Sequence, residues 1–307
     1  MFCLVPAAAA RAIDLGLITA GEGGTYYQFG LDLKHLVKPH GINLNVHSSR
    51  GSVDNIFALQ QPRPRIQMAI VQSDVLEFVA SQPSNAAVTE IARNTRLLFP
   101  LFDEEIHVVG RAGIETFDQL DRKRVAVGPE GSGTTLTARV LFKLAGIVPA
   151  EIVAIDAREA LARLKAGDID AMVYVAAAPV KLLTDHVTAA DRLSLIAISN
   201  KSILEAYPRV EIPAQLYEWQ PTAVTTAAVK AVLVSSGVSG RNCESVGRFA
   251  QHVASGLDWL VRHGNPRWKQ VDLNVPVTGW KQDACVRKYI GAAQAHASRR
   301  SSKDTAR

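Results

Sequence analysis

The residues best placed to do chemistry in this 307-residue chain are hydroxyls and glycines. Residues 128–135 read Gly-Pro-Glu-Gly-Ser-Gly-Thr-Thr, between an apolar β-branched segment and an amphipathic helical one. A helix opening on Ser132, Gly133, Thr134 and Thr135 leaves its first backbone amides unpaired and adds hydroxyls in front of the positive end of the helix dipole. With Gly131 supplying the turn, this is a cradle for an anion; a plain capped helix carries the same signature. The spacing echoes a nucleotide loop, but Thr134 stands where the essential Lys would be. Without that cation for the β- and γ-phosphates, P-loop chemistry is excluded.

Other chemistry is absent by motif. There is no Gly-x-Ser-x-Gly elbow, His-Glu-x-x-His, Cys-x-x-Cys, or Gly-x-Gly-x-x-Gly opening a helix. The eight histidines are scattered, and His35 and His40, five apart, do not share a helical face. Asp103, Glu104 and Glu105 read as a solvated charge run at a domain junction. The expectation is therefore no catalytic residue, no metal and no cofactor.

The elements that must position the hydroxyl-rich turns alternate strand and helix for most of the length, which predicts an α/β protein with mainly parallel sheets. Strand-like segments at 12–18, 42–47 and 66–71 each run into a polar, small-residue turn that opens a helix. The first helix places Tyr26, Phe29, Leu33 and Leu36 on one face. Parallel strands bring those turns to one sheet edge, where open α/β sheets bind ligands. Thr25, Ser52, Gln72 and Ser73, with Arg50 nearby, line one wall. A second such edge recurs about 110 residues later at residues 131–135, which implies a second lobe and a cleft. Tyr26 or Tyr174 would add apolar contact on closure. Residues 227–234 read as a strong strand, and 244–262 as one amphipathic helix.

Composition narrows the class. Nearly half the residues are apolar (48%), enough for a substantial core, yet no run reaches a membrane span. The net charge is +5, of which residues 298–307 supply +3 (Arg299, Arg300, Lys303 and Arg307 against Asp304). The body is close to neutral, so neither nucleic acid nor direct membrane insertion is expected. Residues 2–10 form an Ala-rich apolar run ending in a small-x-small site at 10–12, read as the remainder of an export signal that lacks its basic start. Its removal would leave Cys243 and Cys285 as the only thiols. An oxidising exterior permits a disulfide between them; two buried free thiols are the alternative.

Five stretches then occur in order: Gly23-Gly24-Thr25-Tyr26-Tyr27, Gly51-Ser52-Val53-Asp54-Asn55, Ala69-Ile70-Val71-Gln72-Ser73-Asp74, Arg124-Val125-Ala126-Val127-Gly128 with Gly131-Ser132-Gly133-Thr134, and Ala178-Pro179. Together they resemble the TAXI family, the extracytoplasmic solute-binding subunits of TRAP-type transporters, over residues 13–290. The resemblance implies a type II periplasmic-binding-protein fold, with two α/β lobes and a ligand cleft between them. The expected boundaries are 1–12 for the signal remnant, 13–110 and 196–297 for lobe 1, 111–195 for lobe 2 and 298–307 for a disordered basic tail. It also implies periplasmic capture of a small organic anion or acidic amino acid, glutamate-like or a dicarboxylate, for delivery to a TRAP-type permease. The implied contacts are Gly24, Thr25, Tyr26, Ser52, Gln72, Ser73, Asp74 and residues 132–135. Arg50 stands where the family more usually has a small residue, and could hold a carboxylate; Asp74 could accept an ammonium or merely cap a helix. A periplasmic ligand sensor signalling to a membrane receptor kinase is the competing reading.

Overall fold

A computed structural model describes residues 12–61, 65–76, 86–237 and 240–290. The expected signal remnant up to residue 11 and the basic tail at 298–307 lie outside the described residues.

The first three strands, β1 (Ile13–Ile18), β2 (Ile42–His47) and β3 (Met68–Gln72), are parallel in the order β2-β1-β3. β3 is buried at every position, the pattern of a strand covered on both faces. Helix α1 (Thr25–Val37) follows β1 and buries Tyr26, Phe29, Leu33 and Leu36. The short α2 (Ser52–Ala58) follows β2. After α3 (Ala86–Asn94), β4 (Arg96–Arg111) runs for 16 residues. In the second half, β5 (Arg124–Ala126) leads into α4 (Gly133–Ala145), β6 (Glu151–Val153) into α5 (Ala157–Ala166), and β7 (Ala171–Ala176) into α6 (Lys181–His186). Gly146, at φ 68°, ends α4 in the left-handed conformation that a residue with a Cβ rarely adopts. β8 (Leu193–Leu195), α7 (Lys201–Ala206) and β9 (Arg209–Ile212) precede the long return strand β10 (Val224–Ser235).

The sheet order is β2-β1-β3-β10-β4-β7-β5-β6, with β8 on β4 and β9 on β10. β4 and β10 are the two crossovers: they pair antiparallel with each other, β10 continues onto β3 and β4 onto β7. Their pairing shifts register between Lys230 and Val232, close to the point where Pro100 sits opposite Val232 and offers no N–H to the ladder. The fold is thus the two-lobed α/β arrangement.

The lobe boundaries fall elsewhere than the expected 110/111 and 195/196. One core joins Leu15, Phe29 and Leu44 to Leu98, Phe102, Ala231, Leu233 and Trp268. Another joins Ile106, Val125 and Leu141 to Ile196, Ile198, Ile203, Tyr207 and Val229, and a third joins Met172 to Ile212, Tyr217 and Trp219. The chain therefore crosses near 103–105 on β4 and near 229–231 on β10. β8 and β9 explain this, since pairing with the far end of β4 and the near end of β10 keeps 196–224 in the second lobe.

The expected single helix over 244–262 is two, α8 (Gly240–Ser255) and α9 (Leu257–His263). A Cβ at Gly256, between them, would lie 2.5 Å from Leu36 Cδ1, so the break lets α1 approach closely. Cys243 on α8 is joined by a disulfide to Cys285, at a Cα–Cα distance of 5.3 Å. No helix among the described residues is long and apolar enough to cross a membrane.

Candidate functional site

A cleft of about 1010 Å³ lies between the lobes. Its walls are the turns after β1, β2, β3, β5 and β7, at the carboxyl ends of parallel or crossover strands, together with the start of α5. Of the residues singled out in the sequence, Gly24, Thr25, Tyr26, Arg50, Ser52, Gln72, Ser132, Gly133, Thr134 and Tyr174 line it.

On the first wall, Gly24 closes a tight turn onto the Gly21 carbonyl (2.8 Å) and then starts α1 without a side-chain cap. The Ser52 hydroxyl accepts from the Gln72 amide (3.0 Å), locking the second turn to the end of β3. On the second wall, Ser132 caps α4 by accepting from the Thr135 amide (3.2 Å). Gly128 and Gly131, at φ 82° and 88°, hold left-handed positions that let the turn double back. The Thr134 hydroxyl accepts from the Val175 amide (3.2 Å). The amides of Gly133 and Thr134 have no acceptor among the described residues, and neither do those of Thr25, Tyr26 and Tyr27 at the start of α1.

Four residues are placed away from the cleft lining. Thr135 turns its hydroxyl inward, 2.7–3.0 Å from the carbonyls of Val127, Gly128 and Pro129, and so staples the turn. The Gly131 carbonyl accepts from the Val53 and Asp54 amides (3.2 Å each), bridging the lobes at the start of α2. Ser73 donates its amide to Lys230, and its carbonyl accepts from the Trp280 indole. Asp74, expected to hold an ammonium or cap a helix, accepts from Thr137 (2.8 Å) and Tyr207 (2.9 Å) of the second lobe and does not line the cleft. Arg50 reaches the rim but is committed to Asp54 through two hydrogen bonds (2.7 and 2.9 Å), with its side chain 64% exposed.

The acidic run on β4 corrects the expectation of a solvated charge cluster. Asp103 pairs with Lys230 (2.7 Å). Glu105 pairs with Arg267 (3.3 Å) and accepts from the Ala178 amide (2.7 Å), holding the turn that precedes Pro179. Glu104 points the other way, into the floor of the cleft, where it is 5% exposed and accepts a 2.5 Å hydrogen bond from the Tyr26 hydroxyl. Burial pushes its pKa up to about 8; the Tyr26 hydrogen bond opposes the shift, the charges of Asp74 and Glu105 add to it, and Arg267 offsets them in part. Tyr26 is itself raised by burial and by Glu104, as is Tyr174. Strand alternation was the available signal: on an extended chain, Asp103 and Glu105 share one face and Glu104 takes the other.

Behind the floor, His107 is fully buried and its pKa falls to about 4, chiefly through burial. Its Nε2 lies 2.8 Å from the Tyr217 hydroxyl, which accepts from the Val180 amide (2.9 Å) and so supports the cleft wall at 177–180. Exposed Glu22, Arg158, Lys181 and Asp185 form a rim of mixed sign. No group of three or more potential metal ligands occurs among the described residues.

Two lobes, two crossovers and a cleft at the strand ends define a periplasmic-binding-protein fold. The chain is similar in fold to the periplasmic binding protein BugD (9% identity, TM-score 0.52, covering 93% of this chain and 94% of that one). It is likewise similar to MatC from Rhodopseudomonas palustris, solved with bound malate (14% identity, TM-score 0.52, 92% and 97% covered). Residues 17–238 match the model of the NMT1-like family, and the chain belongs to that family.

Proposed function

We propose that this protein is an extracytoplasmic solute-binding protein that captures a small carboxylate-bearing solute between its lobes and delivers it to a TRAP-type membrane permease. The observation that carries the reading is the pair of helix N-termini, α1 and α4, that open on one cleft with amides lacking acceptors among the described residues. Each is a place for negative charge. Thr25 and Ser132 add hydroxyls, and Thr134 and Gln72 shape the space between. Two or three charge-assisted hydrogen bonds at about 1.5–3 kcal/mol each supply much of the roughly 8 kcal/mol of a micromolar complex.

MatC, of like fold, was solved with bound malate, a small carboxylate-bearing solute. The Cys243–Cys285 bridge accords with an oxidising compartment, and hence with export. The TAXI-like order of motifs is the basis for naming a TRAP permease as the partner. Catalysis is not part of the reading, because the Glu104 carboxylate hydrogen-bonds only Tyr26 among the described residues, with no nucleophile in a hydrogen bond to it.

The test is a thermal-shift panel of carboxylates and amino acids on ligand-stripped protein. A ligand at 100 times its Kd adds about 2.7 kcal/mol of stability, visible as a raised Tm. A panel of C3–C6 acids and amino acids in which no member shifts Tm would contradict the proposal.

A further inference from the structure

Resting on the reading of the cleft as a ligand site, we infer that Glu104 is the acceptor for an ammonium group, so the captured solute is a zwitterionic amino acid rather than a dicarboxylate. Glu104 sits on the crossover strand at the floor of the cleft and is almost wholly buried. One oxygen, Oε2, is held by Tyr26; Oε1 has no hydrogen-bond partner among the described residues. A buried carboxyl with half its acceptor capacity unused and turned to a ligand cavity is costly unless a donor arrives there.

The surrounding charges say which kind of donor. The charge of Glu105 acts on the group from the opposite face of β4, that of Asp74 from the turn after β3 and that of Arg267 from the segment after α9, while α1 and β7 bring the neutral hydroxyls of Tyr26 and Tyr174. Arg267 is paired with Glu105 and offsets it, so Asp74, the larger of the two acidic influences, sets the sign of the field. The floor is therefore an acidic field that repels a second carboxylate and attracts a cation, while the helix N-termini of α1 and α4 attract the anion. Tyr26 belongs to both features, since its amide is in the first turn of α1 and its hydroxyl grips Glu104. A solute with a carboxylate at the amides and an ammonium at the floor satisfies both.

The inference has a proton balance. With its pKa near 8, Glu104 is protonated in about nine molecules out of ten at pH 7 before an ammonium arrives. An incoming –NH3⁺ keeps its own protons and forms a salt bridge with the carboxylate, so the carboxyl proton leaves to solvent. Binding an amino acid at pH 7 then releases close to one proton; above pH 9, where Glu104 is already ionised and the free amine begins to lose its own proton, the release vanishes and gives way to uptake.

The experiment titrates ligand-stripped protein with isosteric pairs, L-glutamate against L-2-hydroxyglutarate and L-aspartate against L-malate. Calorimetry is run in phosphate and in Tris, whose ionisation heats differ. The expected result is one amino acid binding at least tenfold more tightly than its hydroxy acid, with close to one proton released at pH 7. In Glu104→Gln, that preference and the proton release disappear together. A hydroxy acid that binds as well as its amino acid, or amino acid binding with no proton release, overturns the inference and leaves the cleft reading intact. If no member of either pair binds the wild-type protein, and none of the wider panel does, both fall. The wild-type comparison needs no variant, so misfolding of Glu104→Gln would not shield the inference.

Discussion

Glu104→Gln should make the protein more stable, and by an amount that depends on pH. The carboxyl has an ordinary pKa near 4.5 when unfolded and about 8 when folded. A folded pKa above the unfolded one means that the native state holds its proton more tightly. The stabilisation this proton provides is complete below pH 4.5 and is lost as pH rises to 8. At about 1.4 kcal/mol per pH unit, the loss is on the order of 3 kcal/mol at pH 7 and 5 kcal/mol at pH 9. Gln keeps the shape and an oxygen to accept from Tyr26, but carries no charge to desolvate. Its advantage over wild type should therefore be near zero at pH 4.5, rise through neutrality and level off above pH 8. Urea unfolding followed by circular dichroism at five pH values between 4.5 and 9.5 measures it. A difference that is flat with pH, or a variant less stable than wild type at pH 8, would refute the reasoning, because either outcome means that Glu104 is not desolvated at the cleft floor.

Three further outcomes follow from the packing. A Cβ on Gly133 would lie 1.9 Å from Gln72 Oε1 and 2.8 Å from Ser52 Oγ, so Gly133→Ala should wedge the lobes apart and cost about tenfold or more in ligand affinity, measured by calorimetry. Thr135→Val removes the staple of the 127–129 turn without removing a cleft-facing group; it should lower stability by about 1–3 kcal/mol while leaving ligand affinity unchanged. Reducing the Cys243–Cys285 bridge, which spans 42 residues, should cost up to about 4 kcal/mol by the loop-entropy relation, read as a lower urea midpoint with reductant than without.

The strand–helix alternation was legible because each element carries a local pattern, as in the apolar face of α1 and the uninterrupted apolar run of β3. The turns at 20–26, 49–52 and 128–134 were legible for the same reason, being strings of small and hydroxyl residues that open helices. The lobe boundaries were not, since nothing local in residues 196–223 says which core they join; β8 and β9 decide that by pairing with distant strands. Side-chain direction was equally hidden at Thr135 and Asp74. Both are small polar residues beside helix starts, yet one faces three carbonyls of its own turn and the other faces Thr137 and Tyr207 of the opposite lobe. Glu104 was obscured by its acidic neighbours, whose solvated look held for neither Glu104 nor Glu105 once β4 proved to be a crossover strand.

If a small carboxylate-bearing solute occupies the cleft between the lobes, filling that space must exclude it. Ala176, partly exposed on the cleft wall, offers a way to fill that space without touching a polar contact. Calorimetric titration of wild type and Ala176→Trp with the best ligand from the thermal-shift panel measures this exclusion. One-to-one binding is expected in wild type and none in a folded Ala176→Trp; equal affinity in the two proteins would place the solute outside the cleft.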